Sequence, residues 1–242
     1  MQHEIQIIEP TDLWYIQNNI NKETNKLHHP TKNIPFVQQV KIRLENSGVV
    51  IQKGSLHWCF GKLNYNIYKT DNRLRDIWVS LTTEADYNAP VYRGTGLVKL
   101  EPRGKGNFLH YTSIDLFEDE QWEFDDGVFQ FCSDNVVIGA KRLKLRQVAA
   151  SADGKWRIAL KALPNQKATI VAGTIAPGNI IQLNRGETLI SDFDMVKGFT
   201  NGIKEDYQKL GYFGKGGGEG YVWVYSGEGK LLVSETEGMG LG

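Results

Sequence analysis

The stretch "YRGTGLVKLE", Tyr92 to Glu101, has a counterpart near the other end of the chain, "YSGEGKLLV", Tyr225 to Val233. Both open Tyr-x-Gly-x-Gly and run into apolar residues. Glycine takes positive φ without steric cost, so this step predicts a sharp change of direction between β-strands. A second pattern accompanies it. Lys53-Gly-Ser-Leu-His-Trp-Cys59, Asp126-Gly-Val-Phe-Gln-Phe-Cys132 and Arg185-Gly-Glu-Thr-Leu-Ile-Ser191 each set a charged residue and a glycine before an extended apolar-rich run. The spacing of Gly54, Gly127 and Gly186 is too uneven for a solenoid, whose units stack in register. It predicts three related β units with insertions in the first.

Short runs of alternating polarity fill the chain between its 26 glycines. In Lys155-Trp-Arg-Ile-Ala-Leu-Lys161, Trp156, Ile158 and Leu160 share one face of an expected strand. Phe36–Leu44, Gly48–Gln52, Leu56–Phe60, Leu63–Tyr68 and Lys230–Ser234 read the same way. Strands this close, divided by Gly, Asn and Asp turns, predict an antiparallel all-β sandwich or barrel. Two helices are expected beside it. Thr11–Leu27 places Leu13, Ile16, Ile20 and Leu27 on one side, and Asn201–Leu210 places Ile203, Tyr207 and Leu210 at helical spacing before Gly211. The expected organisation is an N-terminal, helical segment over 1–34, with a linker from His28 to Pro35, and one β body over 35–242. Its three units would run over about 35–100, 101–150 and 151–235.

The 242 residues carry 28 Lys plus Arg against 28 Asp plus Glu, so no global charge excess draws the chain to a polyanion. Two cysteines, Cys59 and Cys132, read as small buried hydrophobes rather than a disulfide framework. The opening MQHEIQIIEPTD has no basic and apolar leader, and no run approaches the length of a membrane span. A cytoplasmic protein is expected.

Val50–Leu63 ("VIQKGSLHWCFGKL"), Val91–Pro102 ("VYRGTGLVKLEP") followed by Asp125–Cys132, and Gly214–Glu235 ("GKGGGEGYVWVYSGEGKLLVSE") carry a resemblance. In their order and spacing the chain is similar, from about Pro35 to Glu235, to the altered-inheritance-of-mitochondria protein twenty-four family. The resemblance implies a fold like the tryptophan RNA-binding attenuation protein (TRAP): three β-sandwich, double-stranded β-helix-type units about a pseudo-threefold axis. It brings no catalytic residue to transfer.

Candidate sites are few. Gly211–Gly220 lacks the Gly-x-x-x-x-Gly-Lys-Ser/Thr order of a phosphate loop and precedes a strand rather than a helix. The five histidines, His3, His28, His29, His57 and His110, form neither His-x-His nor His-Glu-x-x-His, so the metal motif of related jelly rolls is missing and no cofactor is expected. His57 reads as a packed core-edge residue. Cys59 or Cys132 would become a nucleophile only if folding brought a histidine base close, as His110 would come to Cys132 if their strands paired. The acidic stretch Glu118–Asp126 lacks calcium-loop spacing and reads as a solvated turn. Arg142, Lys144 and Arg146 fall on one face of an expected strand and form the one candidate RNA or anion patch. No aromatic pair interleaves with them in sequence, which counts against nucleic acid as partner. The expectation is a non-enzymatic β scaffold that pairs with itself or another protein; the alternatives are an RNA-binding module by fold analogy and a small-molecule binder.

Overall fold

A computed structural model describes residues 2–8, 39–68, 89–100, 110–118, 120–125, 127–142, 156–174, 176–192, 195–209 and 221–234. Every regular element among them is a strand. Three sheets form. The first has the order β3 (Leu56–Ile67), β4 (Pro90–Leu100), β2 (Gln39–Ile51), β7 (Phe129–Ser133), β10 (Ala168–Thr174), β5 (His110–Leu116), with β1 (Gln2–Ile8) also on β2. The second runs β11 (Gly178–Leu183), β16 (Gly229–Ser234), β13 (Val196–Thr200), β6 (Gln121–Asp125), β9 (Trp156–Ala162), β8 (Val136–Arg142). The third is β12 (Thr188–Ser191), β15 (Tyr221–Gly227), β14 (Ile203–Lys209). All described pairings are antiparallel.

The second sheet is the middle layer, because each of its faces contributes residues to a core. Trp122, Phe124, Ile158, Leu160, Ile138 and Leu232 join Val50, Val91, Cys132 and Ile170 of the first sheet in one core. Phe199, Val196, Leu183 and Leu231 point the other way and meet Ile203, Trp223 and Tyr225 of the third sheet. A further core, with Val40, Ile42, Val98, Phe131 and Val171, lies on the opposite face of the first sheet.

Two pairs of expected strands merge into single long ones. Phe36–Leu44 and Gly48–Gln52 meet in β2 through a bulge at Asn46, whose φ is 48°. Asn46 N–H donates to Thr95 Oγ1 (3.2 Å), and the Thr95 hydroxyl donates to Asn46 Oδ1 (3.1 Å). The extra residue switches the parity, so that Val40, Ile42 and Leu44 before it and Val49 and Ile51 after it all reach the same core. Leu56–Phe60 and Leu63–Tyr68 meet in β3 through Gly61. The first Tyr-x-Gly-x-Gly therefore serves a purpose other than a turn: inside β4, Gly96 lies against Gly61 and Gly94 against Leu63, where the two backbones approach too closely for side chains on β4. A Cβ on Gly94 would collide with the Lys62 carbonyl oxygen, and one on Gly96 with that of Phe60. The second copy does turn, leading from β15 into β16 with Gly227 at φ 115° and Gly229 at 157°.

Gly54, Gly127 and Gly186 all adopt positive φ (79°, 82° and 91°) as third residues of β-turns closed by Ser55 N–H to Gln52 O, Val128 N–H to Asp125 O and Glu187 N–H to Asn184 O.

In place of the helix expected at Asn201–Leu210, Ile203–Lys209 form a strand. Ile203, Glu205 and Tyr207 are buried or half-buried, while Lys204, Asp206 and Gln208 are exposed. A separation of four satisfies both a helical and a two-residue period, and the pairing of β14 with β15 selects the second. The expected helix at Thr11–Leu27 lies outside the described residues. The N-terminal segment contributes β1, which pairs along the first half of β2.

Gly94→Ala is expected to lose about 2–4 kcal/mol of stability, because strain and a backbone collision coincide. Gly127→Ala, with open space around the same kind of φ, should lose only about 1 kcal/mol. Urea midpoints of the two variants test the contrast.

Candidate functional site

The acidic stretch expected to be a solvated turn contains β6, and alternation decides the fate of each residue. Trp122 and Phe124 enter the core, stacked at 5.4 Å between ring centroids. Glu123 and Asp125 point to the opposite face and are taken up by cations. Lys141 Nζ lies 2.7 Å from Glu123 Oε1 and 3.0 Å from Oε2.

Asp125 belongs to a larger cluster between the second and third sheets. Arg157, on the neighbouring strand β9, donates from Nε to Asp125 Oδ1 at 2.7 Å. Its other two nitrogens grip Glu205 of β14, Nη1 to Oε2 at 2.8 Å and Nη2 to Oε1 at 2.6 Å. The Tyr225 hydroxyl donates to Glu205 Oε1 at 3.4 Å, and the Phe199 ring lies 4.8 Å from the guanidinium carbon. Arg157 and Glu205 are nearly inaccessible, at 8% and 3% side-chain exposure. Burial alone would lower the Arg157 pKa; the hydrogen bonds and charge of Glu205 and Asp125 outweigh it and hold the guanidinium protonated. Burial raises the Asp125 carboxyl, against the opposing pull of Arg157. Burial and the adjacent Glu205 charge push the Tyr225 phenol well above its ordinary value. The three guanidinium nitrogens are all engaged, so the cluster is a fastening between sheets.

The cysteine and histidine expectations fare differently. Cys132 is buried, as expected, and desolvation drives its thiol well upward, away from nucleophilic use. Its strand does not pair with that of His110. Both pair with β10, where Cys132 shares a rank with Ile170 and Ile114, and His110 lies four residues farther along β5, about 13 Å at strand rise. Cys59 is exposed on β3 rather than buried, and His57 is exposed beside it. Both cysteines are free. Among the described residues no three His, Cys, Asp or Glu side chains converge as a metal site requires. Arg142 ends β8, while Lys144, Arg146 and Gly211–Gly220 lie outside the described residues.

What sequence reasoning missed is the edge position and exposure of β3. This strand forms the outer edge of the first sheet, and its large side chains are exposed on both faces. Tyr65 (62% exposed) and Ile67 (43%) stand on the core side, beyond the rim, with Tyr65 tilted against Tyr92 at 5.5 Å. Phe60 (74%) and Trp58 (38%) stand on the other. The density of aromatics in Trp58–Tyr65 was the available signal, but it reads equally well as core.

Arg157→Leu leaves Glu205 and Asp125 buried without their cation and should cost about 3–5 kcal/mol in denaturant unfolding. Adding Glu205→Leu should recover part of that loss. In alkali, the raised Tyr225 pKa predicts a stabilising contribution that is complete below the unfolded tyrosine value, about 10, and is lost as pH rises through the higher folded value. Between pH 10 and 11.5 the stability of Tyr225→Phe should therefore fall less steeply than that of the parent, by at most about 1.4 kcal/mol per pH unit.

A family model for mitochondrial biogenesis AIM24 matches residues 34–235, most of the chain, and the chain belongs to that family. No curated protein matches it. Among solved structures it is similar to protein SPYM3_0169 from Streptococcus pyogenes, with a TM-score of 0.62 and 17% identity over 98% of this chain and 94% of that one. At that identity the likeness concerns the fold.

Proposed function

From membership of the AIM24 family, we propose that the chain is a non-catalytic β scaffold: three sheet units about a pseudo-threefold axis, as in TRAP, that associates with further copies of itself through free sheet edges. Support for three units comes from topology. The hairpins β3–β4, β8–β9 and β14–β15 each accept a third strand on the far side of their second strand: β2, β6 and β12 respectively. Support for a non-catalytic role comes from the buried charges, since Arg157, Asp125, Glu205, Glu123 and Lys141 are spent on one another.

The observation that carries the reading is the edge itself. β3 is twelve residues long, pairs on one side only among the described residues, and displays Tyr65 and Ile67 beside its unpaired backbone. Such an edge invites another strand unless it is blocked. Ile190 on β12 and Ile180 on β11, outermost strands of the other two sheets, are likewise exposed. Symmetric association of identical chains is the ordinary way to close such edges. The exposed free thiol of Cys59 fits a reducing compartment such as the cytoplasm.

Light scattering on a size-exclusion column should give a mass that is a multiple of the chain's 27.3 kDa. The double variant Tyr65→Lys and Ile67→Lys should shift it toward a single chain without loss of the folded β signal. A parent protein that stays monomeric at high concentration would remove the association reading.

A further inference from the structure

The face of the first sheet opposite Tyr65 and Ile67 has a composition of its own. Strand register sets it out in ranks across four strands. One rank is Gln6, Lys41, Lys99, Trp58; the next is Glu4, Arg43, Leu97, Phe60. By alternation Lys62 and Asn64 continue the stripe down β3, and Thr95 and Arg93 down β4. On the same face of β4, Val91 is inside the core shared with the second sheet, whereas Arg93 and Thr95 are exposed. This part of the first sheet therefore overhangs the second.

Five basic residues, Lys41, Arg43, Lys62, Arg93 and Lys99, stand on this face against three carboxylates, Glu4, Glu45 and Asp134. Arg93 is committed to Asp134 at 2.6 Å, and Arg43 is within 3.7 Å of Glu4. The three lysines remain as the cations for a ligand. In a chain with equal numbers of acidic and basic residues, this is a local cationic field. It coincides with two exposed aromatic rings, Phe60 and Trp58.

We propose that this face binds single-stranded nucleic acid, with Phe60 and Trp58 as stacking platforms and Lys41, Lys99 and Lys62 meeting the phosphates. The inference rests on the reading of the chain as a binding protein but uses a different surface from its self-association. Trp58 and Phe60, two residues apart on one face, stand about 6.6 Å apart along the strand, enough for two separate unpaired bases. Stacking on exposed sheet aromatics, with lysines alongside, is the general physics of single-strand binding. The Asn64 side chain continues the stripe with an amide able to donate and accept at a base edge. A duplex hides its base faces, and a bilayer would gain nothing from an amide in line with the rings. Within the single run Arg142–Arg146 no aromatic accompanies the basic residues; here the lysines and aromatics come from three strands and meet only through register.

The test is fluorescence anisotropy of a labelled, mixed-sequence, single-stranded RNA of about 16 nucleotides, a length covering the usual site sizes. The same RNA annealed to its complement and vesicles of phosphatidylserine and phosphatidylcholine serve as the other arms. The single strand should bind more tightly than the duplex, with affinity falling as salt rises. Phe60→Leu and Trp58→Ala should each weaken it about five-fold or more, while Phe60→Tyr keeps it. Lys41→Gln and Lys99→Gln should each reduce the slope of log affinity against log salt by about 0.7. Equal binding of duplex and single strand, binding to vesicles alone, no RNA binding at low salt, or indifference to Phe60→Leu would each overturn the proposal. Light scattering on the same samples reads self-association separately, and Tyr65→Lys with Ile67→Lys should leave the RNA affinity within about two-fold of the parent, so failure of one reading is not failure of the other.

Discussion

The guanidinium of Arg157 is the point on which the layered structure depends. It takes one carboxylate from its own sheet, Asp125, and one from the sheet above, Glu205. Two buried negative charges and one positive charge hold β9 against β14, with Tyr225 and Phe199 sealing the cluster. The nearby Lys197 further lowers the cost of ionising Asp125. Such a cluster adds little net stability over a well-packed apolar one, but it tolerates no missing member, because each group is desolvated for the others. It therefore fixes which residues of the third sheet face the second. Apolar packing through Phe199, Trp223 and Leu231 alone would accept several registers.

The middle sheet can serve two layers because both of its faces carry buried apolar residues. Its apolar face meets the first sheet; its other face mixes apolar strands β13 and β16 with the paired charges of β6, β8 and β9. The first sheet extends beyond that support. Where it does, around β3 and the outer part of β4, Trp58, Phe60 and Tyr65 remain in solvent, while Leu56 and Leu63 still pack against the core on one face. The glycines Gly61, Gly94 and Gly96 bring the backbones of β3 and β4 into close contact, beside the packing of Leu56 and Leu63. A sheet margin built this way costs few buried groups and leaves its side chains available for other molecules.

Likeness to the Streptococcus pyogenes protein extends over nearly the whole of both chains, although five residues in six differ. A fold that survives such divergence is carried by pattern: alternation, turn glycines and bulge positions. Surface side chains are not constrained in that way, so the basic and aromatic face is a property of this chain and not of the fold.

Alternation within Lys155–Lys161 put Ile158 and Leu160 in the core, and the three charged-residue-plus-glycine patterns became three turns of one geometry. The all-β class and the turns were thus determined by sequence alone, since positive φ and two-residue periodicity are local properties. Ile203 and Tyr207 were misread because their spacing suits two periods, and β2 and β3 were each split because a bulge and a strand-interior glycine look like turns. Which polar residues are buried, which strands neighbour one another, and which bases stand beside which aromatics were decided only in the tertiary structure. Those relations join residues tens to more than a hundred positions apart through hydrogen-bonded register, and no local physical property of the chain encodes them.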